Sequence, residues 1–362
     1  MQSAQPIGLP TGAFPATDRV AIDEPYTKMW FDLVVRASKR GQVSLVITVI
    51  ALLIFSVTAT QSLGRDDFGV LVLVVFGLLA VLNGVAVLVN GRTRAVAESV
   101  YPRYPWHAVA ATMVSDRPFV AAVQLGPDRV HLSLRRAQPV TRQVVLRSGR
   151  LWLCGPDERG RVMARVDGLS FGVPARILDQ PPADATPPVL TEPTGPRPLD
   201  EPMLAGLLRR QLRLGLVRYL GPAIVLALGV ASVVVSPVYA AVGPIFLVLA
   251  VVYAVLAGLA VTRFQGILRQ SSRLLADAPG WTPVLARLDS WQAAGRVIGP
   301  ARGQVWLPDG STATVSVPRA GIDLVANIQA SGTLWVAGPP TRGSTMAVGL
   351  PGYPLLGLAT IE

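Results

Sequence analysis

Gly168-Leu-Ser-Phe-Gly172 fits the GxSxG pattern, in which a serine on a tight turn serves as an acyl-transfer nucleophile. Such an elbow needs a strand before it, a helix after it and a histidine later in the chain to take the serine's proton. Here Pro174 follows closely and the only histidines, His107 and His131, come earlier, so Ser170 reads as a turn residue. Two histidines and one cysteine, Cys154, draw no metal-binding set with ligand spacing. Lys28 and Lys39 are the only lysines; neither ends a Gly-rich phosphate loop, and no GxGxxG opens a helix after a strand. Asp157-Glu158 pairs two carboxylates, as general acid–base chemistry can require, but it reads as a solvated turn. No active site can be assembled from these groups, so neither catalysis nor a cofactor is expected.

The acidic pair lies inside a phrase that occurs twice. SGRLWLCGPDERGRVMA at Ser148–Ala164 returns as SGTLWVAGPPTRGSTMA at Ser331–Ala347, with ten of seventeen positions identical at a shift of 183. The second copy keeps Gly, Pro and Trp but replaces Asp157-Glu158 with Pro340-Thr341, so the repeat preserves turn and core chemistry rather than a reactive pair. A second match, at a shift of 174, sets Ala80–Val87 beside Ala254–Val261 with six of eight identical, and it lies in apolar sequence. The duplicated unit therefore joins an apolar part to a β-rich part in tandem.

The elements around the repeat follow from charge and periodicity. The 362 residues are 51% hydrophobic and 15% charged, with a mean hydropathy of +0.46, which is apolar for an ordinary globular chain. Gly41–Gly64 and Phe68–Gly91 carry no charge, and Tyr219–Thr262 carries none, with breaks near Ser236-Pro237 and Pro244. At about 20 apolar residues per span, these runs predict four transmembrane helices in two hairpins. Lys28, Arg36, Lys39, Arg40, Arg209, Arg210, Arg213 and Arg218 precede the hairpins, and Arg92, Arg94, Arg263 and Arg269 follow them, which predicts cytoplasmic ends and a multi-pass protein of a bacterial inner membrane. The pI near 10.7 rests on 31 Arg and two Lys. Their clustering at helix ends points to anionic lipid head groups as partners, not nucleic acid. A lone cysteine excludes an internal disulfide and fits a reducing compartment.

After each hairpin the period changes to short Val-, Leu- and Ala-rich runs between Gly, Pro and Asp turns. These predict a small SH3-like or OB-like β-barrel in each unit, in a membrane α+β class. Among the predicted strands are Arg142–Arg147 and Asp323–Ile328. The expected organisation is a disordered cytosolic tail at 1–27, lacking signal-peptide character; a basic amphipathic lead-in and hairpin at 28–105, with helices about 42–62 and 68–91; and β domain 1 at 106–177. A Pro-rich extended linker at 178–202 leads to a second lead-in and hairpin at 203–280, with helices about 216–236 and 239–262, and then to β domain 2 at 281–362.

Within the apolar runs, small residues recur every four positions: Ala80 and Gly84; Ala223, Ala227 and Ala231; Ala250, Ala254 and Gly258. Such rows let helix backbones approach closely, either within the bundle or against a partner's helices. Asn83 is the one strongly polar side chain well inside a run and is expected to bond to a neighbouring helix. Trp106 and Trp281 stand where each β domain begins, with Arg209, Arg210 and Arg213 marking the same polar–apolar boundary; all five are membrane-interface candidates. Trp152 and Trp335 are expected in barrel cores. The function these features favour is a non-catalytic accessory or scaffolding subunit that contacts other membrane proteins through its β domains and small-residue helix faces, with homo-oligomerisation left open. The alternatives are a carrier of lipid or small apolar molecules, or a ligand sensor.

Overall fold

The computed structural model describes residues 12–62, 67–117, 120–126, 130–135, 139–180, 189–214, 219, 223, 226, 243–289, 291 and 298–362. The chain divides into two compact units. One comprises residues up to Val35, Thr93–Leu207 and Ser271–Glu362; the other comprises Arg36–Arg92 and Leu208–Gln270.

The first unit holds two closed barrels of identical topology. Barrel 1 is β1 (Trp106–Arg117), β2 (Val120–Leu125), β3 (Val130–Arg135), helix α3 (Pro139–Ser148), β4 (Arg150–Cys154), β5 (Arg161–Arg165) and β6 (Val173–Leu178). Barrel 2 is β7 (Trp281–Leu288), β8 (Ile298–Trp306), β9 (Thr312–Gly321), helix α5 (Ile322–Ser331), β10 (Thr333–Ala337), β11 (Thr345–Gly349) and β12 (Leu356–Ile361). The strands close in the order β1-β2-β3-β6-β5-β4 and, equivalently, β7-β8-β9-β12-β11-β10, with every pairing antiparallel. Alternation builds them: along β8, Gly299, Ala301, Gly303 and Val305 are buried and the residues between are exposed. A β-carbon on Gly303 would strike the carbonyl of Arg287, so the crowded wall of the barrel takes glycine there.

These are six-stranded barrels, and each places a helix between its third and fourth strands, where extended segments were expected. Arg142–Arg147 and Asp323–Ile328 lie in α3 and α5 instead of strands. On α5 the residues that join the barrel 2 core, Leu324, Val325 and Ile328, fall at helical spacing, a three-to-four period that so short a run does not distinguish from a strand. The repeated glycines explain why the phrase recurs. Gly149 and Gly332 follow α3 and α5 with φ 61° and 64°, Gly155 and Gly338 open the next turns at 110° and 85°, and Gly160 and Gly343 close them at 65° and 78°. Only glycine enters this left-handed region without a steric cost.

The long helices are α1 (Pro25–Ser62), α2 (Asp67–Val100) and α4 (Gly243–Asp277). Among the described residues one segment, Val251–Asp277, is long and apolar enough to cross a membrane. Four transmembrane helices in two hairpins, and with them a multi-pass inner-membrane placement with cytoplasmic ends, are thereby overturned; two six-stranded barrels dominate the fold. A charge-free run records what a segment lacks. It fixes neither the length of the helix nor what that helix faces. The basic lead-in at Met29–Arg40 is continuous with α1, which reaches 38 residues. The expected span at 216–236 lies almost wholly outside the described residues.

Within the second unit, α1 and α2 meet where Gly41 faces Val87 and where the Asn83 amide approaches the Thr48 hydroxyl at 3.4 Å. Tyr219 and Thr262 share a hydroxyl–hydroxyl contact at 3.1 Å.

Candidate functional site

In the first unit the two barrels share a core. Leu151 and Leu153 of β4 point into barrel 1, and Leu334 and Val336 of β10 point into barrel 2. The tryptophan between each pair faces outward and is buried by something else. Trp335 joins the barrel 1 cluster together with Leu350, Tyr353 and Leu355, while Trp152 packs with Tyr101, Trp106, Cys154 and Met163. Both are buried as expected, but in seams rather than barrel interiors.

The GxSxG loop lies in the seam. It joins β5 to β6, so strand follows turn where a nucleophile elbow has a helix. The Ser170 N–H donates to Asp323 Oδ1 at 2.6 Å, and the Asn327 amide, one turn further along α5, donates to the Gly168 carbonyl at 2.8 Å. Burial pushes the Asp323 carboxyl up from its usual range, opposed by the Ser170 hydrogen bonds and by Arg165. Arg165 is itself 1% exposed. Its Nε donates to the Leu169 carbonyl at 2.7 Å, and its guanidinium pairs with Glu24 at 3.3 Å. The loop is thus a clasp: its backbone groups are consumed by side chains of barrel 2 and of its own barrel.

A short segment of the chain, Gly12-Ala13-Phe14, occupies the edge of this clasp, where a disordered tail was expected. The Gly12 N–H donates to the Tyr353 hydroxyl at 3.1 Å, the Ala13 N–H to Asn327 Oδ1 at 2.6 Å, and the Gly168 N–H to the Ala13 carbonyl at 3.3 Å. A β-carbon on Gly12 would run into the Gly168 backbone, so the close approach requires glycine. The Phe14 ring stands 5.6 Å from Trp152, with the Arg150 guanidinium 4.5 Å above it. Asp167 fixes both partners, accepting from Trp152 Nε1 at 2.6 Å and from Arg150 Nη2 at 2.7 Å.

Trp106 is fully buried and donates from Nε1 to Thr27 at 3.1 Å, which places it at the barrel base. Trp281 is half-buried against the shared core. Arg209, Arg210 and Arg213 are exposed on the helical run 202–214. Asp157, expected as a solvated turn, is instead a hub. Burial opposes its ionisation, but hydrogen bonds from Arg161, Ser99 and Arg159 outweigh that and lower its pKa to about 2. Cys154 is buried and its thiol is pushed up to about 12 by that burial.

In the second unit, a β-carbon at Gly84 or Gly258 would meet nothing within 4 Å among the described residues. Ala80 and Ala254 beside them are half-buried and Ala223 is exposed. The side chains of Ala227, Ala231 and Ala250 lie outside the described set. Val81, Val85 and Leu88 on α2, and Val252, Val255, Leu256 and Leu259 on α4, are exposed. Sequence reasoning missed Asn327, Tyr353 and Asp167, because each acts across a distance in the chain that no local spacing reveals. Comparison with protein-family models, with curated proteins and with solved structures finds no match.

Proposed function

We propose that this chain is a non-catalytic accessory or scaffolding protein that holds other proteins through its helix faces and its barrel surfaces. The observation that carries the reading is the open space over Gly84 and Gly258, flanked by exposed aliphatic side chains. A glycine inside a helix costs about 0.5–1 kcal/mol relative to alanine and is tolerated where a backbone must come close. Within the chain, among the described residues, nothing comes close at these two positions. Contiguous exposed apolar surface of this kind marks an interaction face, and small residues on it suit close packing by a partner's helix. The cross-strand pair Leu285 and Trp306 adds an exposed apolar spot to the outer wall of barrel 2.

The test is Gly258→Leu, alone and with Gly84→Leu. The unfolding midpoint of the purified variant should match that of the parent, while a partner that co-purifies stoichiometrically with the parent is lost. Retention of the partner, or a lowered midpoint showing that the glycines serve internal packing, refutes the proposal.

A further inference from the structure

We infer that the clasp between the barrels is a peptide-binding groove that the chain's own Gly12-Ala13-Phe14 segment fills in cis, and that its ligand in trans is a partner's extended segment of the same small-small-aromatic chemistry. The inference rests on the scaffold reading, whose partner it places on a second surface.

The groove is built to read extended backbone. It offers an acceptor, Asn327 Oδ1, to one peptide N–H and a donor, the Gly168 N–H, to the carbonyl of the same residue, with the Tyr353 hydroxyl accepting from the residue before. These groups lie on both barrels, so the site exists only where the barrels join. Asn327 is held by its own donations to the Gly168 and Asp323 carbonyls, and Asp167 holds Arg150 and Trp152 in place for an aromatic ring. A site whose side chains are fixed before the ligand arrives loses little rotamer freedom on binding. Side-chain selectivity comes from the wall at Gly168, which admits only glycine at the first position, and from the Trp152–Arg150 slot at the third.

The occupant is held loosely enough to leave. Phe14 remains 45% exposed in its slot, and three backbone-directed hydrogen bonds must offset the ordering of the arm. Pro15 is buried beside it, and the next hydrogen-bonded anchors among the described residues are Val20, which bridges Pro105, and Ala21 and Ile22, whose N–H groups bond to the Tyr104 and Tyr101 carbonyls. Between these anchors, Thr17, Asp18 and Arg19 are exposed and serve as the hinge. A tethered arm of this length has a high effective concentration, so it competes with a free peptide without blocking it absolutely.

Anisotropy of a labelled peptide of residues 10–16 measures the groove directly. The full chain carrying Gly12→Val and Phe14→Ala, which should release the arm, binds the peptide about tenfold more tightly than the parent. That ratio corresponds to an arm docked about nine-tenths of the time. A peptide with alanine in place of its phenylalanine does not bind. In the unmodified chain, saturating peptide accelerates tryptic cleavage after Arg19 several-fold by freeing the hinge. Equal affinity for parent and variant, or no binding by a variant with parental unfolding together with unchanged cleavage, overturns the inference. So does a concentration-dependent dimer of the parent that disappears in the variant, since the arm would then serve exchange between two copies. Partner loss in Gly258→Leu does not involve the groove; a failed peptide experiment beside a successful glycine experiment removes this inference alone.

Discussion

Asn327→Ala tests whether the two barrels are one cooperative body. Asn327 is 3% exposed and makes three contacts: its amide donates to the Gly168 carbonyl at 2.8 Å and to the Asp323 carbonyl at 2.6 Å, and its Oδ1 accepts the Ala13 N–H at 2.6 Å. Asp323 lies one turn back along α5, so its carbonyl keeps an intrahelical route to a partner. The Gly168 carbonyl and the Ala13 N–H do not. A buried polar group left unpaired costs about 1–3 kcal/mol. Ala13 can recover water because its segment is at the surface, so the expected loss is about 2–3 kcal/mol, most of it from Gly168. Urea unfolding followed by tryptophan fluorescence reads it: Trp152 reports the base of barrel 1 and Trp335 the seam. The parent should unfold in a single transition. The variant should show a midpoint lowered by that amount and, because a clasp has been cut while both barrel interiors are intact, a transition that broadens or splits. A change below about 0.5 kcal/mol with the transition still single would refute the claim that the clasp couples the barrels.

Three further outcomes follow from the same geometry. Gly332→Ala forces a β-carbon into a left-handed position at the end of α5 and should cost about 1–2 kcal/mol in urea unfolding, whereas Gly84→Ala, with open space and helical backbone, should be neutral or stabilising. Asp157, whose folded pKa of about 2 lies below its ordinary value, contributes stability that is complete above pH 4 and lost as pH falls toward 2. Asp157→Asn should remove on the order of 1–2 kcal/mol of that acid-range dependence, measured as unfolding midpoints from pH 5 to pH 2. Asp323 shifts the other way: its contribution is fullest below the ordinary carboxylate range and is lost as pH rises through its elevated value. Asp323→Asn keeps an acceptor for the Ser170 N–H without the buried charge, so it should unfold later than the parent at pH 7 to 8 and show a flatter profile there; an earlier midpoint would mean that the charge itself holds the seam.

The duplication and its β-rich half were legible because both leave local marks. Val130-His-Leu-Ser-Leu134 and Thr312–Val317 alternate as half-buried strands do, and the repeated glycines mark turns that recur at left-handed positions. The helices α3 and α5 were not legible. Ten residues with a few apolar positions satisfy helical and extended periods alike, and what decides between them is closure of the barrel around them. The apolar runs misled in the opposite direction. Their lack of charge was real, but a count of absent charges sets neither helix length nor surroundings, and α1, at 38 residues, extends its lead-in directly into the run. Asp157 shows the limit most sharply. Its failure to recur in the second copy gave no sign of its surroundings: it is the best-satisfied carboxylate of its turn, because its partners Ser99 and Arg161 belong to α2 and β5 of its own copy.

The tryptophan phrase carries the strongest lesson about how a repeat becomes a site. In both copies the tryptophan faces out of its barrel, so in both it must be covered by something beyond that barrel. Trp335 is covered by barrel 1, a neighbouring copy. Trp152, the equivalent residue one copy earlier, is covered by the end of α2 and by the Phe14 segment instead. A large aromatic face built to be buried needs a cover in either copy, and the two copies use different ones. The Gly12–Phe14 arm supplies part of that cover while Phe14 itself stays 45% exposed, and a position covered by so exposed a ring is one that a partner's segment can enter.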